Sequence, residues 1–307
     1  MKLIDLKKMN YNNINTIFSY ANKYVTEKDN DIFKGIILAN CLFVPTTRTA
    51  LSFDYAMKKM GGEVINLTKT SSSTIKGESH EDIFKKMEQC ANILILYHPC
   101  NNFLYKYAPY CKTVLINGGN SGDEDHTQAL VDLYTIRKYF NYETTEINVL
   151  FVGDIKHCKT IHMLVDLLKK YDNISIDYYP YFGCEYSPEN NVTGYEDIHK
   201  YDVVYMTRIE KEQFENNNIS IEPYILNASI VSKMKKTSII LHPLPCNEEL
   251  HVSVDKCVQS KYFEQINNGL YIRMALLYCL YFKKLDSSFY TLEYNYRDQL
   301  QSEIHSW

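Results

Sequence analysis

Short continuous apolar runs, each followed by residues at helical spacing, recur along the chain. Ile36-Ile37-Leu38-Ala39-Asn40-Cys41-Leu42-Phe43 is such a run, bounded by turn signals, and predicts a buried strand over 36–43. Beyond it Phe53, Ala56, Met57 and Met60 fall at i, i+3, i+4 and i+7, one face of a helix over 50–60, and Gly61-Gly62 supplies its C-terminal stop. The rhythm continues with a strand at 63–67, a helix near 80–90, strands at 93–96 and 113–117, and a helix over 127–140. Residues 10–30, rich in Asn and Lys, predict a helix covering this first sheet. A new run, Ile147-Asn148-Val149-Leu150-Phe151-Val152-Gly153-Asp154, restarts the pattern. It leads to a helix at 158–170, strands at 174–177, 203–206 and 239–241, and a long closing helix over 262–280. Strand-helix alternation with few hairpin signals predicts an α/β fold of two doubly wound parallel-sheet domains. The restart places their boundary near 140–146, giving domains 1–142 and 143–285, with a polar tail at 286–307 whose scattered aromatics fit surface packing.

In such sheets ligands bind beyond the C-terminal strand ends. Val44-Pro45-Thr46-Thr47-Arg48-Thr49 lies where the 36–43 strand gives way to its helix. Backbone N–H groups at a helix start, beside three Thr hydroxyls and a guanidinium, suit a phosphate; an ordinary Thr-capped helix explains the same residues equally well. His98 and the Gly118-Gly119 loop fall at the same ends of neighbouring strands. The polar loop 68–79, with Ser71-Ser72-Ser73 and Lys76-Gly77, reads on its own as a solvent-facing connection. Gly153-Asp154 lacks a following G-x-G-x-x-G, which argues against a dinucleotide site.

Composition narrows the class. The 307 residues, 45% of them hydrophobic, suffice for one large or two ordinary cores. Nine cysteines without C-x-x-C spacing, behind an N-terminus with no apolar signal core, read as reduced thiols in a cytoplasmic protein, with no metal site. The apolar runs fall short of the ~18 residues a membrane span needs. A net charge of −4 without a basic block argues against nucleic acid as a partner.

Phe43-Val44-Pro45-Thr46-Thr47-Arg48-Thr49-Ala50-Leu51-Ser52-Phe53 resembles the carbamoyl-phosphate signature F-x-x-S-T-R-T-R-x-S-F of the transcarbamylases. Lys76-Gly77-Glu78-Ser79, His98-Pro99, Thr127-Gln128, Gly153-Asp154, Met206-Thr207-Arg208 and His242-Pro243-Leu244-Pro245 follow in the family's order and spacing, over residues 30 to 285. The M-T-R and H-P-L-P forms place the likeness on the aspartate branch.

The resemblance implies transfer of a carbamoyl group from carbamoyl phosphate to L-aspartate, the carbamoyl-aspartate step of de novo pyrimidine synthesis, without a cofactor. It assigns Thr46, Thr47, Arg48 and Thr49 to the phosphate, with Ser72 and Lys76 lent by a neighbouring subunit of a homotrimer. Gln128 and the carbonyls of Pro243 and Leu244 take the carbamoyl NH2, and Arg208 and Lys159 the aspartate carboxylates; Arg48, Thr49, Lys76 and Gln128 are the catalytic set. Several positions depart from the family. R-H-P is Tyr97-His98-Pro99, Q-H-P-T-Q is Glu124-Asp125-His126-Thr127-Gln128, and M-T-R-x-Q ends in Glu210. The clamping Arg is Lys159, and two structural Arg positions are Ala50 and Cys246. A missing cation and two added carboxylates predict slow turnover. They leave two alternatives: a binding or assembly protein that keeps the phosphate pocket, or a transferase for a different, cationic amine.

Overall fold

A computed structural model describes residues 2–3, 5–27, 31–44, 46–68, 78–119, 126–141, 145–185, 192, 194–209 and 222–286. Its first sheet contains β1 (Lys2–Leu3), β2 (Ile37–Leu42), β3 (Glu63–Thr68), β4 (Ile93–Tyr97) and β5 (Val114–Gly119), in the order β1-β5-β4-β2-β3. A second sheet contains β6 (Ile147–Gly153), β7 (Ile174–Pro180), β8 (Val203–Met206) and β9 (Ile239–Leu241), in the order β7-β6-β8-β9. All pairings in both sheets are parallel.

The continuous apolar runs exist because both faces of these strands are covered. Along β4, Ile93, Ile95 and Tyr97 enter one core, while Leu94 and Leu96 enter another under α3 (His80–Cys90) and α4 (Asn101–Tyr107). Along β6, Val149 and Phe151 face the first core and Leu150 and Val152 a third. Each such side chain contributes ~1.5–3 kcal/mol through burial.

The first core is closed by α1 (Tyr11–Thr26), α2 (Arg48–Lys59), α5 (His126–Tyr139), α6 (Lys159–Leu168) and α8 (Tyr262–Tyr281). In α1, Ile14, Ile17, Phe18, Ala21 and Tyr24 share one buried stripe, and the Asn10 side chain caps the helix by accepting from the Asn13 N–H at 2.8 Å. The closing helix α8 packs against α1, α2 and α5 of the first half. Its far end is fastened there too, since the Asp286 N–H donates to Asn13 Oδ1 at 2.9 Å.

Three elements differ from the sequence expectation. β1 is a two-residue edge strand, too short to leave a periodic signal, α4 arises from Asn-Asn-Phe-Leu-Tyr-Lys-Tyr, where helical spacing spans barely two turns, and α7 (Ala228–Val231) is about one turn long. All nine cysteines are thiols rather than disulfides, and burial pushes the Cys41 thiol up to about 12. Among the described residues no helix is long and apolar enough to cross a membrane.

Candidate active site

The helix α2 begins two residues earlier than its apolar pattern, so Arg48 and Thr49 lie in its first turn. Thr47, at the N-cap, makes no side-chain capping hydrogen bond, so the helix start is not the ordinary Thr-capped kind. Thr47 and Arg48 are exposed and Thr49 is buried.

This helix start forms one wall of a cleft of about 1040 Å³. Thr46, Thr47, Arg48 and Thr49 line it from β2 and α2, Tyr97 and Gly118-Gly119 from the ends of β4 and β5, and Gln128 from α5. The second sheet contributes Cys158, Thr160, Thr207, Arg208 and the stretch His242-Pro243-Leu244-Pro245, and α8 adds Gln265 and Arg273. Thus Thr46, Thr47, Arg48, Thr49, Gln128, Arg208, Pro243 and Leu244 share a single cavity. Lys159 stands between two lining residues at the start of α6, but its own side chain is not part of the wall. Ser72, Lys76, Asp125 and Glu210 lie outside the described residues.

Tyr97 takes the place of a family cation. The register between β4 and β5 shifts at Leu96/Tyr97, and the ring settles over Gly118, where a Cβ would come within 2.5 Å of it. Tyr97 is thereby almost fully buried while still facing the cleft. Its neighbour His98 turns to the opposite face. There it stacks on Phe103 with centroids 4.2 Å apart, places Nε2 2.9 Å from His80 Nδ1, and accepts the Cys100 N–H on Nδ1 at 3.1 Å. Burial, reinforced by the His80 ring, lowers its pKa from 6.5 to about 4. The fold therefore holds His98 neutral, and that stability is complete above pH 6.5 and drains as pH falls toward about 4. Denaturant melts should lose up to ~1.4 kcal/mol per pH unit across that window. The dependence should flatten in His98→Gln; an equally steep fall in the variant would assign it to other groups.

Two groups were not legible as site residues in the sequence. Arg273 is buried in α8, with Nη1 donating to Ser52 Oγ at 3.2 Å and Nη2 to Thr127 Oγ1 at 3.0 Å; its guanidinium lies over Phe53. Gly269 makes room for it, because a Cβ there would sit 2.7 Å from Nη1. The only signal was an Arg within the apolar second half of the helix. The second group braces the 242–245 stretch. His242 Nδ1 accepts the Leu244 N–H at 2.8 Å, and its Nε2–H donates to Glu249 Oε1 at 3.0 Å. Burial works against the Glu249 carboxylate, yet the hydrogen bonds from His242 and the Asn247 N–H hold its pKa below the usual value. This bracing holds Leu244 in a left-handed conformation, φ 57°, that a branched side chain rarely adopts unaided.

Residues 1–138 match the family profile described as aspartate/ornithine carbamoyltransferase, carbamoyl-P binding domain, and residues 183–280 its Asp/Orn binding domain. The chain is 36% identical over 295 residues to the aspartate carbamoyltransferase catalytic subunit of Alkaliphilus oremlandii, covering 90% of this chain and 89% of that one. The catalytic subunit of M. jannaschii aspartate transcarbamoylase superposes with a TM-score of 0.85 at 32% identity, over 92% of this chain and 98% of that one. Aspartate transcarbamoylase from Trypanosoma cruzi in complex with N-(phosphonacetyl)-L-aspartic acid superposes at 0.82 with 25% identity, over 91% and 95%. With the matching sheets, cleft and motifs, these likenesses establish that the chain belongs to the aspartate/ornithine carbamoyltransferase family.

Proposed function

We propose that the cleft transfers a carbamoyl group from carbamoyl phosphate to the α-amine of L-aspartate, giving N-carbamoyl-L-aspartate and phosphate for pyrimidine synthesis. The observation that carries this reading is the single cavity joining Thr46–Thr49, Gln128, Pro243-Leu244 and Arg208 from both halves of the chain. The amine attacks the carbamoyl carbon, the new C–N bond forms as the C–O bond to phosphate breaks, and the amine's proton passes to the departing phosphate. Positioning and charge stabilisation supply the rate. Thr46, Thr47, Arg48 and Thr49 hold the phosphate. Gln128 and the carbonyl oxygens of Pro243 and Leu244 accept hydrogen bonds from the NH2. Arg208 grips an aspartate carboxylate through its two-donor fork, and the second falls to Lys159, whose side chain must swing into the cleft from the start of α6 to meet it. Carbamoyl phosphate binding belongs to residues 1–142 and aspartate binding to 143–285. The nine thiols fit a cytoplasmic location.

The test is formation of carbamoyl-aspartate by the full chain, in parallel with ornithine, putrescine and other amines as acceptors. Slow turnover of aspartate is expected. Preference for a cationic amine would select the altered-acceptor reading, and tight binding of a bisubstrate phosphonate with no transfer to any amine would select the binding-protein reading. Arg208→Ala should raise KM for aspartate ten- to a hundredfold, the loss of ~1.5–3 kcal/mol of charge-assisted hydrogen bonding, and leave KM for carbamoyl phosphate within a factor of about three. Equal change in both constants would remove Arg208 from the acceptor site. Ser72 and Lys76 complete a neighbour's site in a homotrimer on this reading, so light scattering should find about three chains per particle. A stable monomer binding the phosphonate as tightly would overturn the shared site.

A further inference from the structure

The side chains around Asp132, on α5, connect the groups assigned to the carbamoyl NH2. Asp132 is fully buried. Its Oδ1 accepts from Gln128 Nε2 at 2.7 Å and from Gln265 Nε2 at 2.5 Å, and its Oδ2 accepts from the Tyr205 hydroxyl at 2.7 Å. These donors come from α5, α8 and β8, so one carboxylate gathers elements from both halves of the molecule.

The direction of these bonds matters more than their number. A carboxylate only accepts, so each Gln amide facing it must present its NH2 there and its oxygen elsewhere. For Gln265 the destination is visible: Oε1 accepts the backbone N–H of His242 at 3.1 Å, at the head of the stretch carrying the Pro243 and Leu244 carbonyls. For Gln128, a residue of the cleft wall, the same logic turns Oε1 away from Asp132. One buried carboxylate is thus tied to the Gln128 amide directly and, through Gln265, to the head of the 242–245 stretch.

We propose that Asp132 is a positioning residue that fixes the hydrogen-bond polarity of the carbamoyl pocket, and thereby sets its preference for carbamoyl phosphate over acyl phosphates of the same shape. Acetyl phosphate is the matched probe, since it replaces the NH2 by a methyl group that can donate nothing. Asp132→Asn is a weak probe, because asparagine can keep both Gln amides on its oxygen and turn its NH2 to the Tyr205 hydroxyl, which accepts as well as donates. Asp132→Leu keeps the branched shape and accepts nothing, so neither Gln is held with its NH2 inward and either can turn over, aiming an N–H at the ligand's N–H or leaving the His242 N–H unmet.

The inference rests on the carbamoyl-phosphate reading, and the experiment separates the two. Calorimetry on the intact oligomer compares carbamoyl phosphate, acetyl phosphate and inorganic phosphate. The native chain should prefer carbamoyl over acetyl phosphate by at least tenfold. Asp132→Leu should reduce that ratio at least tenfold while phosphate affinity stays within about threefold, a pattern that general loosening of the fold does not give because it weakens all three ligands alike. Gln265→Leu cuts the link to His242 while leaving the carboxylate its bonds from Gln128 and Tyr205, should lower the ratio less, and carries the test if Asp132→Leu does not fold. A native chain that fails to discriminate removes the carbamoyl-phosphate reading and this inference with it. A native preference retained in both variants, or in Gln265→Leu when it alone folds, overturns the positioning role alone.

Discussion

Arg48→Ala lowers kcat/KM for carbamoyl transfer by roughly three decades and weakens inorganic phosphate by a comparable factor. Arg48 stands in the first turn of α2, on the cleft wall, beside a helix start whose N-cap Thr47 leaves the capping role unfilled. Backbone N–H groups and the positive end of the helix dipole favour an anion there, and the guanidinium adds up to two charge-assisted hydrogen bonds. Two such bonds at ~2 kcal/mol each amount to ~4 kcal/mol, which is three decades in rate or affinity. Arg48→Lys keeps the charge and loses the fork, so it should forfeit about one decade. Because the group touches phosphate in both ground and transition state, KM should carry much of the loss. Unchanged phosphate binding in Arg48→Ala, measured by calorimetry, would move the anion site away from this helix.

The opposite change is expected from Tyr97→Arg combined with Asp125→His, which should raise carbamoyl-aspartate formation by two to four decades. Tyr97 fills the end of β4 with a phenol on Gly118, where the family carries a cation able to reach both phosphate and carbonyl oxygen. In the sequence Asp125 stands where the family has His, and the resemblance implies a carboxylate where a dianion binds. A lost transition-state donor typically costs ~3 kcal/mol, so the pair accounts for up to ~6 kcal/mol, and non-additivity sets the lower bound. The single change Tyr97→Arg should deliver the larger share, since the residue already faces the cleft. Rapid turnover of aspartate by the native chain, within the 1–10³ s⁻¹ common to enzymes, would show that these substitutions are harmless. No gain in the double variant, with phosphonate binding intact, would place the defect elsewhere.

The fold was legible because β4 and β6 are buried on both faces, which writes them as unbroken apolar runs, and because α2 and α8 turn their apolar residues to one shared core. Arg48 was legible from its place between a strand and a helix, whereas Gln128 and Arg208 came only from the family's motifs; the fold brings all three to one cleft. Asp132 was not, since its meaning depends on Tyr205 and Gln265, which approach it from distant parts of the chain. Lys159 shows the limit from the other side: the family's motif places it at the start of α6 between two residues of the cleft wall, yet its own side chain does not line the cleft.

The packing of α8 on α1, α2 and α5 also dictates a timetable for synthesis. The ribosome releases α5 more than a hundred residues before α8 emerges, an interval on the order of ten seconds at ordinary elongation rates. Throughout it, apolar stripes on α1 and α2 lack the helix that will cover them, so the nascent first half is a natural client for a chaperone. Nascent chains arrested before residue 262 should be cleaved by protease within residues 1–139 far faster than chains arrested with α8 outside the exit tunnel. Equal resistance in both would mean that the first half seals its core without the last helix.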